Sequence, residues 1–349
     1  MLSNADIAEL LAQQAERETG ILSRAFRRAA RSAFLWRQEV RDLLEQNRPL
    51  TELRSVGPFI ETQIRRWTDK RTRRAKTAPA IRRDFISFAE ARRLVAARPP
   101  GSELRGDLQM HSCWSDGSGT IAEMADAASK RSYEYIAITD HSKGLKIAGG
   151  IDEGALKEQG TEIARANVAL SKSRAQLTVL RSIEMNLNPR GEGDMSPQSL
   201  QGLDLVLGSF HSALRTREDQ TERYICALRN PHLHVLGHPR GRIYNFRIGL
   251  SADWPRVFAE AAGLDKALEI DCYPDRQDLN VALLKTARDQ GTRISLGTDA
   301  HHPWQLEFID LGLAAALQAG IPADRILNFM PVAQLKAWVR RLRDATQRN

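Results

Sequence analysis

The sequence predicts an α/β protein in which a barrel of seven βα units follows a small, basic, all-helical domain. Three observations carry this reading. After residue 101, short β-branched-rich runs alternate with helical stretches at intervals of about thirty residues, the size of a βα unit. Before that point apolar residues recur at helical spacing. Between the two stands Pro99-Pro100-Gly101, a strong boundary signal. The expected domains are therefore residues 1–98 and 102–349. A length of 349 residues suits two domains, and 42 % hydrophobic with 27 % charged residues describes a globular chain with a real core.

In chain order, Asp6 to Ala15 and Ile21 to Leu44 are expected helices, the second placing Phe26, Ala30, Phe34, Val40 and Leu43 on one face. Gly20 separates them and Pro49 follows the second. A short piece over 50–56 precedes Gly57-Pro58, and Phe59 to Trp67 reads as another helix. Residues 70–76 are basic without apolar periodicity, and a last helix spans about 84–97. Seven strand-like runs follow: Leu104–His111, Tyr135–His141, Thr178–Asn186, Leu203–His211, His234–His238, Ala267–Cys272 and Arg293–His301. Apolar runs joined by helical crossovers imply a parallel sheet, and seven in succession imply a closed or nearly closed barrel. Pro331 to Thr346 is amphipathic and is expected on the barrel exterior.

Composition excludes several classes. No apolar run reaches the roughly 18 residues of a transmembrane helix, so no membrane partner is expected. Met1 to Leu11 carries acids where a signal peptide needs basic residues. Cys113, Cys226 and Cys272 are scattered without a CxxC pair, which excludes a disulfide framework and a cysteine zinc knuckle and points to a reducing cytoplasm. The net charge of +8 is unevenly placed: residues 1–100 hold 21 Lys and Arg against 12 Asp and Glu, while the rest hold 30 against 31. A concentrated basic segment on a neutral body is either an electrostatic handle for a polyanion or a solvated helix face.

Six of the seven runs end in a potential metal ligand: His111, His141, Glu184, His211, His238, and Asp299 with His301. The seventh offers Asp271. In βα barrels such positions converge on one rim. One strand-end histidine is usually structural, but five of the eight histidines occupy equivalent places in successive units. Imidazoles mixed with carboxylates suit Zn²⁺, Mn²⁺ or Fe²⁺, and two or three such ions close together serve phosphate-ester hydrolysis best.

The motifs Asp107-Leu-Gln-Met-His111-Ser-Cys-Trp-Ser-Asp116-Gly, Ile138-Thr-Asp140-His141-Ser, Ile183-Glu184-Met-Asn, Ser209-Phe-His211-Ser, Gly237-His238-Pro-Arg-Gly-Arg242 and Gly297-Thr-Asp299-Ala-His301 resemble, in order and spacing, those of the PHP (polymerase and histidinol phosphatase) superfamily. The resemblance covers residues 104 to about 331 and is greatest to the C-terminal PHP domain of bacterial family X DNA polymerases. It implies a distorted (βα)7 barrel with a trinuclear metal site. By position, the first ion would sit among Gln109, His111, Glu184 and Asp299, the second among Glu184, His211 and His238, and the third among Asp116, His141 and His301. His111, Glu184, His211 and Asp299 would carry the catalysis. Gln109 departs from the family, whose first motif is usually Asp-x-His-x-His; an amide oxygen is a weaker, neutral ligand that prefers a harder metal. Arg240, Arg242 and Lys143 are candidates to hold a substrate phosphate, with surface ion pairs as their alternative role. His232, His234 and His302 have no motif position and are left structural.

Leu53-Arg-Ser-Val56-Gly57-Pro58-Phe-Ile60-Glu-Thr-Gln-Ile64 resembles a helix-hairpin-helix, over about residues 50–67, which presents backbone N–H groups to a DNA phosphate. Gly57 and the following Arg65, Arg66, Lys70, Arg71, Arg73 and Arg74 would make the contact. Ser55 stands where that motif usually has its first glycine, and Glu61 where it usually has alanine. The first hundred residues have no room for a polymerase palm and no paired-aspartate motif. The leading expectation is thus a metal-dependent DNA phosphodiesterase acting at 3′ ends or abasic sites, bound through the backbone without sequence preference. A small-molecule phosphomonoesterase of the histidinol phosphatase kind, and a non-catalytic nucleic-acid-binding module, are the alternatives.

Overall fold

The structure is a computed structural model and describes residues 2–69, 78–173 and 176–346. Lys70, Arg71, Arg73 and Arg74 lie outside the described residues. The chain divides into two compact units, one of Met1–Ala97 with Ile243–Ile248, the other of Arg98–Arg242 with Gly249–Asn349. No helix among the described residues is long and apolar enough to cross a membrane.

The first unit holds helices α1 (Asn4–Arg17), α2 (Gly20–Ala33), α3 (Val40–Glu45), α4 (Pro58–Asp69) and α5 (Phe88–Ala96). Ser3 starts α1 with a reciprocal cap: its hydroxyl accepts the Asp6 N–H, and the Asp6 carboxylate accepts the Ser3 N–H. Ile7, Leu11, Phe26, Val40, Leu50, Ile64 and Tyr244 share one core. Arg82 grips Glu9 through two 2.9 Å hydrogen bonds, both side chains being buried. The single helix expected over 21–44 is broken between Phe34 and Glu39. Tertiary bonds outweigh helical periodicity there: Glu39 accepts the Asn4 N–H at 2.8 Å, Asn4 accepts the Val40 N–H at 3.0 Å, and the buried Trp36 donates to Arg54 O.

The second unit alternates strands and helices: β1 (Gly106–Met110), α6 (Ile121–Lys130), β2 (Tyr135–Ile138), α7 (Glu153–Lys172), β3 (Thr178–Arg181), β4 (Glu184–Leu187), α8 (Pro197–Gln201), β5 (Leu207–Phe210), α9 (Thr221–Arg229), β6 (Val235–Leu236), α10 (Trp254–Gly263), β7 (Ala267–Asp271), α11 (Val281–Asp289), β8 (Arg293–Gly297), α12 (Ile309–Ala319) and α13 (Val332–Thr346). All pairings between these strands are parallel, in sheets ordered β1-β2-β3 and β4-β5-β6-β7-β8. Both seams close. Met110 bridges to Ala300 beyond β8, and His141 beyond β2 bridges to Glu184. The third expected run is present as two strands, interrupted at Ser182-Ile183, which is the distortion of this seven-unit barrel.

The final helix is not on the barrel exterior as expected. Leu335, Trp338 and Val339 of α13 share a core with Leu108, Leu180, Leu207 and Val235 of the strands. Trp338 is fully buried and donates to Asp265 O just before β7, while Arg343 donates to Leu203 O before β5. The helix therefore closes the N-terminal mouth of the barrel. An amphipathic pattern shows that one face is buried, not against which surface.

Candidate metal centre

The metal-ligand candidates sit at the carboxyl ends of the strands. His111 follows β1, His141 lies beyond β2, Glu184 opens β4, His211 follows β5, His238 lies beyond β6, and Asp299 and His301 follow β8. At His238 (φ +23°) and Asp299 (φ +52°) the backbone leaves the extended conformation for the left-handed side, which turns both residues out of the strand direction.

Glu184 is the hub. Its carboxylate lies 3.5 Å from His111 Nε2, 3.0 Å from His141 Nδ1, 3.4 Å from His211 Nε2 and 2.8 Å from His238 Nε2. Asp299 Oδ1 meets His111 Nε2 at 2.9 Å. Asp116 Oδ1 lies 3.3 Å from His301 Nε2 and 3.6 Å from His141 Nε2. Three sets of donor atoms each fall within 4.8 Å: His111, Glu184 and Asp299; His141, Glu184 and His211; and His111, Asp116, His141 and His301. His238 joins through Glu184. Gln109, fully buried, instead turns its amide to a carboxylate that sequence reasoning missed. With its NH₂ toward Glu269 it makes hydrogen bonds of 2.9 and 2.6 Å.

These residues fit divalent cations. His111 Nδ1 is buried without a hydrogen-bond partner, and His141 Nδ1 and Glu184 Oε2, 3.0 Å apart, have no partner besides one another, which is costly for polar atoms with no other use. The donor set is imidazole and carboxylate, the mixture that borderline metals take. Crowded acids add to this. Asp271, fully buried beside Asp299, is pushed up to about 8, chiefly by burial, and Glu269 is raised for the same reason with Asp271 as neighbour. Burial would also raise Glu184 and Asp299; His141 and His211 overcome it at Glu184, and Arg276 and His111 overcome it at Asp299, so both stay well below the usual carboxylate range. Burial lowers His111, whereas at His301 the Asp116 carboxylate outweighs burial and lifts the imidazole to about 9.

Outer partners aim the ligands. His211 Nδ1 lies 3.0 Å from Asn186 Oδ1, and His301 Nδ1 lies 2.7 Å from Asp299 O. With those acceptors each ring, when neutral, would carry its proton on Nδ1 and leave Nε2 for an ion. Asp140 holds the turn after His111 through Ser112 and Ser115.

The phosphate candidates are differently placed. Arg242 is buried, its Nε donating to Arg276 O at 2.8 Å, and the Arg240 N–H donates to Asp278 at 2.8 Å. Lys143 lies outermost, paired with Glu153 at 2.7 Å. Arg276, which no sequence motif signalled, reaches Asp299 Oδ2 at 2.5 Å and Asp271 Oδ2 at 3.4 Å. In the first unit, Gly57 and Arg66 are exposed, and Arg65 pairs with Glu61 at 2.7 Å. A single 3-10 turn, Leu50–Glu52, precedes the hairpin turn before α4. Ser55, at the usual glycine position, has φ +67° and is held by a 2.9 Å bond to Ser32 Oγ.

The PHP domain family matches this chain over residues 107–269. The DNA polymerase/3′-5′ exonuclease PolX of Bacillus subtilis is 35 % identical over 240 residues, 68 % of this chain and 41 % of that protein. The chain thus spans about two fifths of the polymerase's length. A probable phosphatase of Shewanella sediminis is 30 % identical over 221 residues, 58 % of this chain and 85 % of that protein. Among solved structures, the histidinol phosphate phosphatase of Lactococcus lactis, complexed with zinc, L-histidinol and phosphate, gives a TM-score of 0.45 at 19 % identity, covering 62 % of this chain and 94 % of that one. The motif order, the family match and the similarity to a phosphatase relative covered over 85 % of its length agree: the chain belongs to the PHP domain family and is a metal-dependent hydrolase of phosphate esters.

Proposed function

We propose that this protein cleaves DNA phosphate esters at 3′ ends or abasic sites, as a 3′–5′ exonuclease, 3′-phosphatase or abasic-site endonuclease of the reducing cytoplasm. The observation that carries the DNA assignment is the basic surplus of the first hundred residues, 21 Lys and Arg against 12 Asp and Glu, joined to a barrel that is 35 % identical to a polymerase/exonuclease. Gly57, Arg65 and Arg66, with Lys70, Arg71, Arg73 and Arg74, supply backbone contacts that carry no sequence preference.

Gln109, His111, Asp116, His141, Glu184, His211, His238, Asp299 and His301 would hold two or three Zn²⁺, Mn²⁺ or Fe²⁺ ions. When bound, they supply charge neutralisation at the phosphate and a lowered pKa for water. The protein does the rest. Glu184, His111, His211 and Asp299 fix the positions of neighbouring ions. Asn186 and the Asp299 carbonyl keep the protons of His211 and His301 on Nδ1. Arg240, Arg242 and Lys143 would hold the substrate phosphate, and Arg276 pairs with Asp299 at 2.5 Å.

The test uses end-labelled single-stranded, nicked and abasic DNA with metal-stripped protein resupplied with Mn²⁺, Zn²⁺ or Mg²⁺, beside His141→Ala and Glu184→Ala. Metal-dependent shortening lost in both variants supports the reading. Intact DNA alongside hydrolysis of a small phosphomonoester supports instead a small-molecule phosphatase, the reading favoured by the phosphatase relative of which this chain covers 85 %.

A further inference from the structure

Gln109 and Glu269 are both fully buried and meet beside Gly297 of β8. A Cβ at 297 would come within 2.2 Å of Glu269 Oε1 and 2.5 Å of Gln109 Cβ, so glycine there leaves room for the pair. The Gln109 amide lies against the Glu269 carboxylate: with its NH₂ turned that way it donates at 2.9 and 2.6 Å, and the His238 main-chain N–H donates to the same carboxylate at 2.8 Å.

An amide has two unlike ends of nearly equal shape. Its oxygen can ligate a cation and its NH₂ cannot. A glutamine serves as a metal ligand only if something fixes which end faces the ion, and a carboxylate in its ionised form, which only accepts hydrogen bonds, does this by claiming the NH₂. We propose that Glu269 is a positioning residue that sets Gln109 as an oxygen donor to the first ion and, through the His238 main chain, ties it to the second. This rests on the reading of Gln109 as a ligand. It gives the departure from the family's histidine a device of its own: a histidine at 109 would offer a ring N–H to the same carboxylate, whereas glutamine depends on it for orientation.

The test is metal affinity. Metal-stripped full-length protein is titrated with Zn²⁺ or Mn²⁺ against a chromophoric chelator, for the native chain, Glu269→Gln, Gln109→Ala, the double variant and Gln109→His. Glu269→Gln keeps the shape but can both donate and accept, so the amide at 109 loses its fixed orientation. One ion should weaken by about 10- to 100-fold while the others hold. The double variant should bind that ion no worse than Gln109→Ala alone. Gln109→His should retain it. Losses that add in the double variant, or an unchanged affinity in Glu269→Gln, would overturn the positioning role. Unchanged ion binding in Gln109→Ala would overturn the ligand reading beneath it. If Glu269→Gln fails to fold, Glu269→Asp, which withdraws the acceptor by one methylene, takes its place with the same single-ion loss expected and the same overturning result.

Discussion

Asp140 accepts both the main-chain N–H and the hydroxyl of Ser112, at 2.7 and 2.6 Å. The Ser115 hydroxyl at 2.6 Å and the Gln159 side-chain N–H at 2.7 Å complete its partners. One buried carboxylate thereby anchors the turn that follows His111. Replacing Asp140 with alanine strands four donors, for which a loss of about 3 kcal/mol or more is expected. Metal affinity should fall about tenfold or more, because His111 loses its support. Denaturant unfolding and chelator titration read the two effects, and an unfolding midpoint equal to that of the native chain would remove Asp140 as the anchor.

Glu184→Gln keeps the shape of the hub and takes away its charge. Four imidazole nitrogens lie within 3.5 Å of this carboxylate, so at least one equivalent of bound metal should be lost. Phosphoester hydrolysis should drop on the order of 10³-fold or more. Elemental analysis of the purified variant, beside its turnover, checks both; full metal content with full activity would mean that Glu184 is not the bridge.

Arg66 is exposed on α4. If it touches a DNA phosphate, Arg66→Ala should reduce the slope of log affinity against log salt by about 1, equally for unrelated sequences. Fluorescence anisotropy across a salt series measures this. An unchanged slope would take Arg66 out of the contact. Arg65, already paired with Glu61, should give a smaller change.

Lys266 is buried before β7, its ammonium donating to the carbonyls of Leu228 and Asn230 at 2.6 Å each. Burial pushes it down to about 8 from 10.5. Above pH 8 the folded chain has released a proton that the unfolded chain still holds, so stability should rise with pH from about 8 until the unfolded lysine titrates as well. The gain is at most about 3 kcal/mol. Lys266→Met should abolish the rise in chemical-denaturation curves recorded across that range; an equal rise in the variant would assign it elsewhere.

The parts legible in the sequence are those set by local period. Strand runs, crossover helices and the residue just past each strand follow from alternation and spacing, which is how His111, His141, Glu184, His211, His238, Asp299 and His301 came to one rim. What escaped depends on partners far along the chain. Glu269 lies inside an apolar run, two residues before Asp271, and only the meeting with Gln109 across Gly297 gives it a role. Arg276 belongs to an irregular loop whose path no spacing reveals. The break after Phe34 is made by Asn4 and Glu39, 35 residues apart, a contact that no helical window contains.

Trp338 has a consequence for how this molecule comes into being. The barrel interior receives Leu335, Trp338 and Val339 from a helix that follows all of the strands. During synthesis, a nascent chain that has emerged through β8 still has an unplugged, apolar opening at one end. Covering of that opening therefore waits for the residues after 331 to clear the ribosome, and until then the exposed opening is a surface for chaperones to cover.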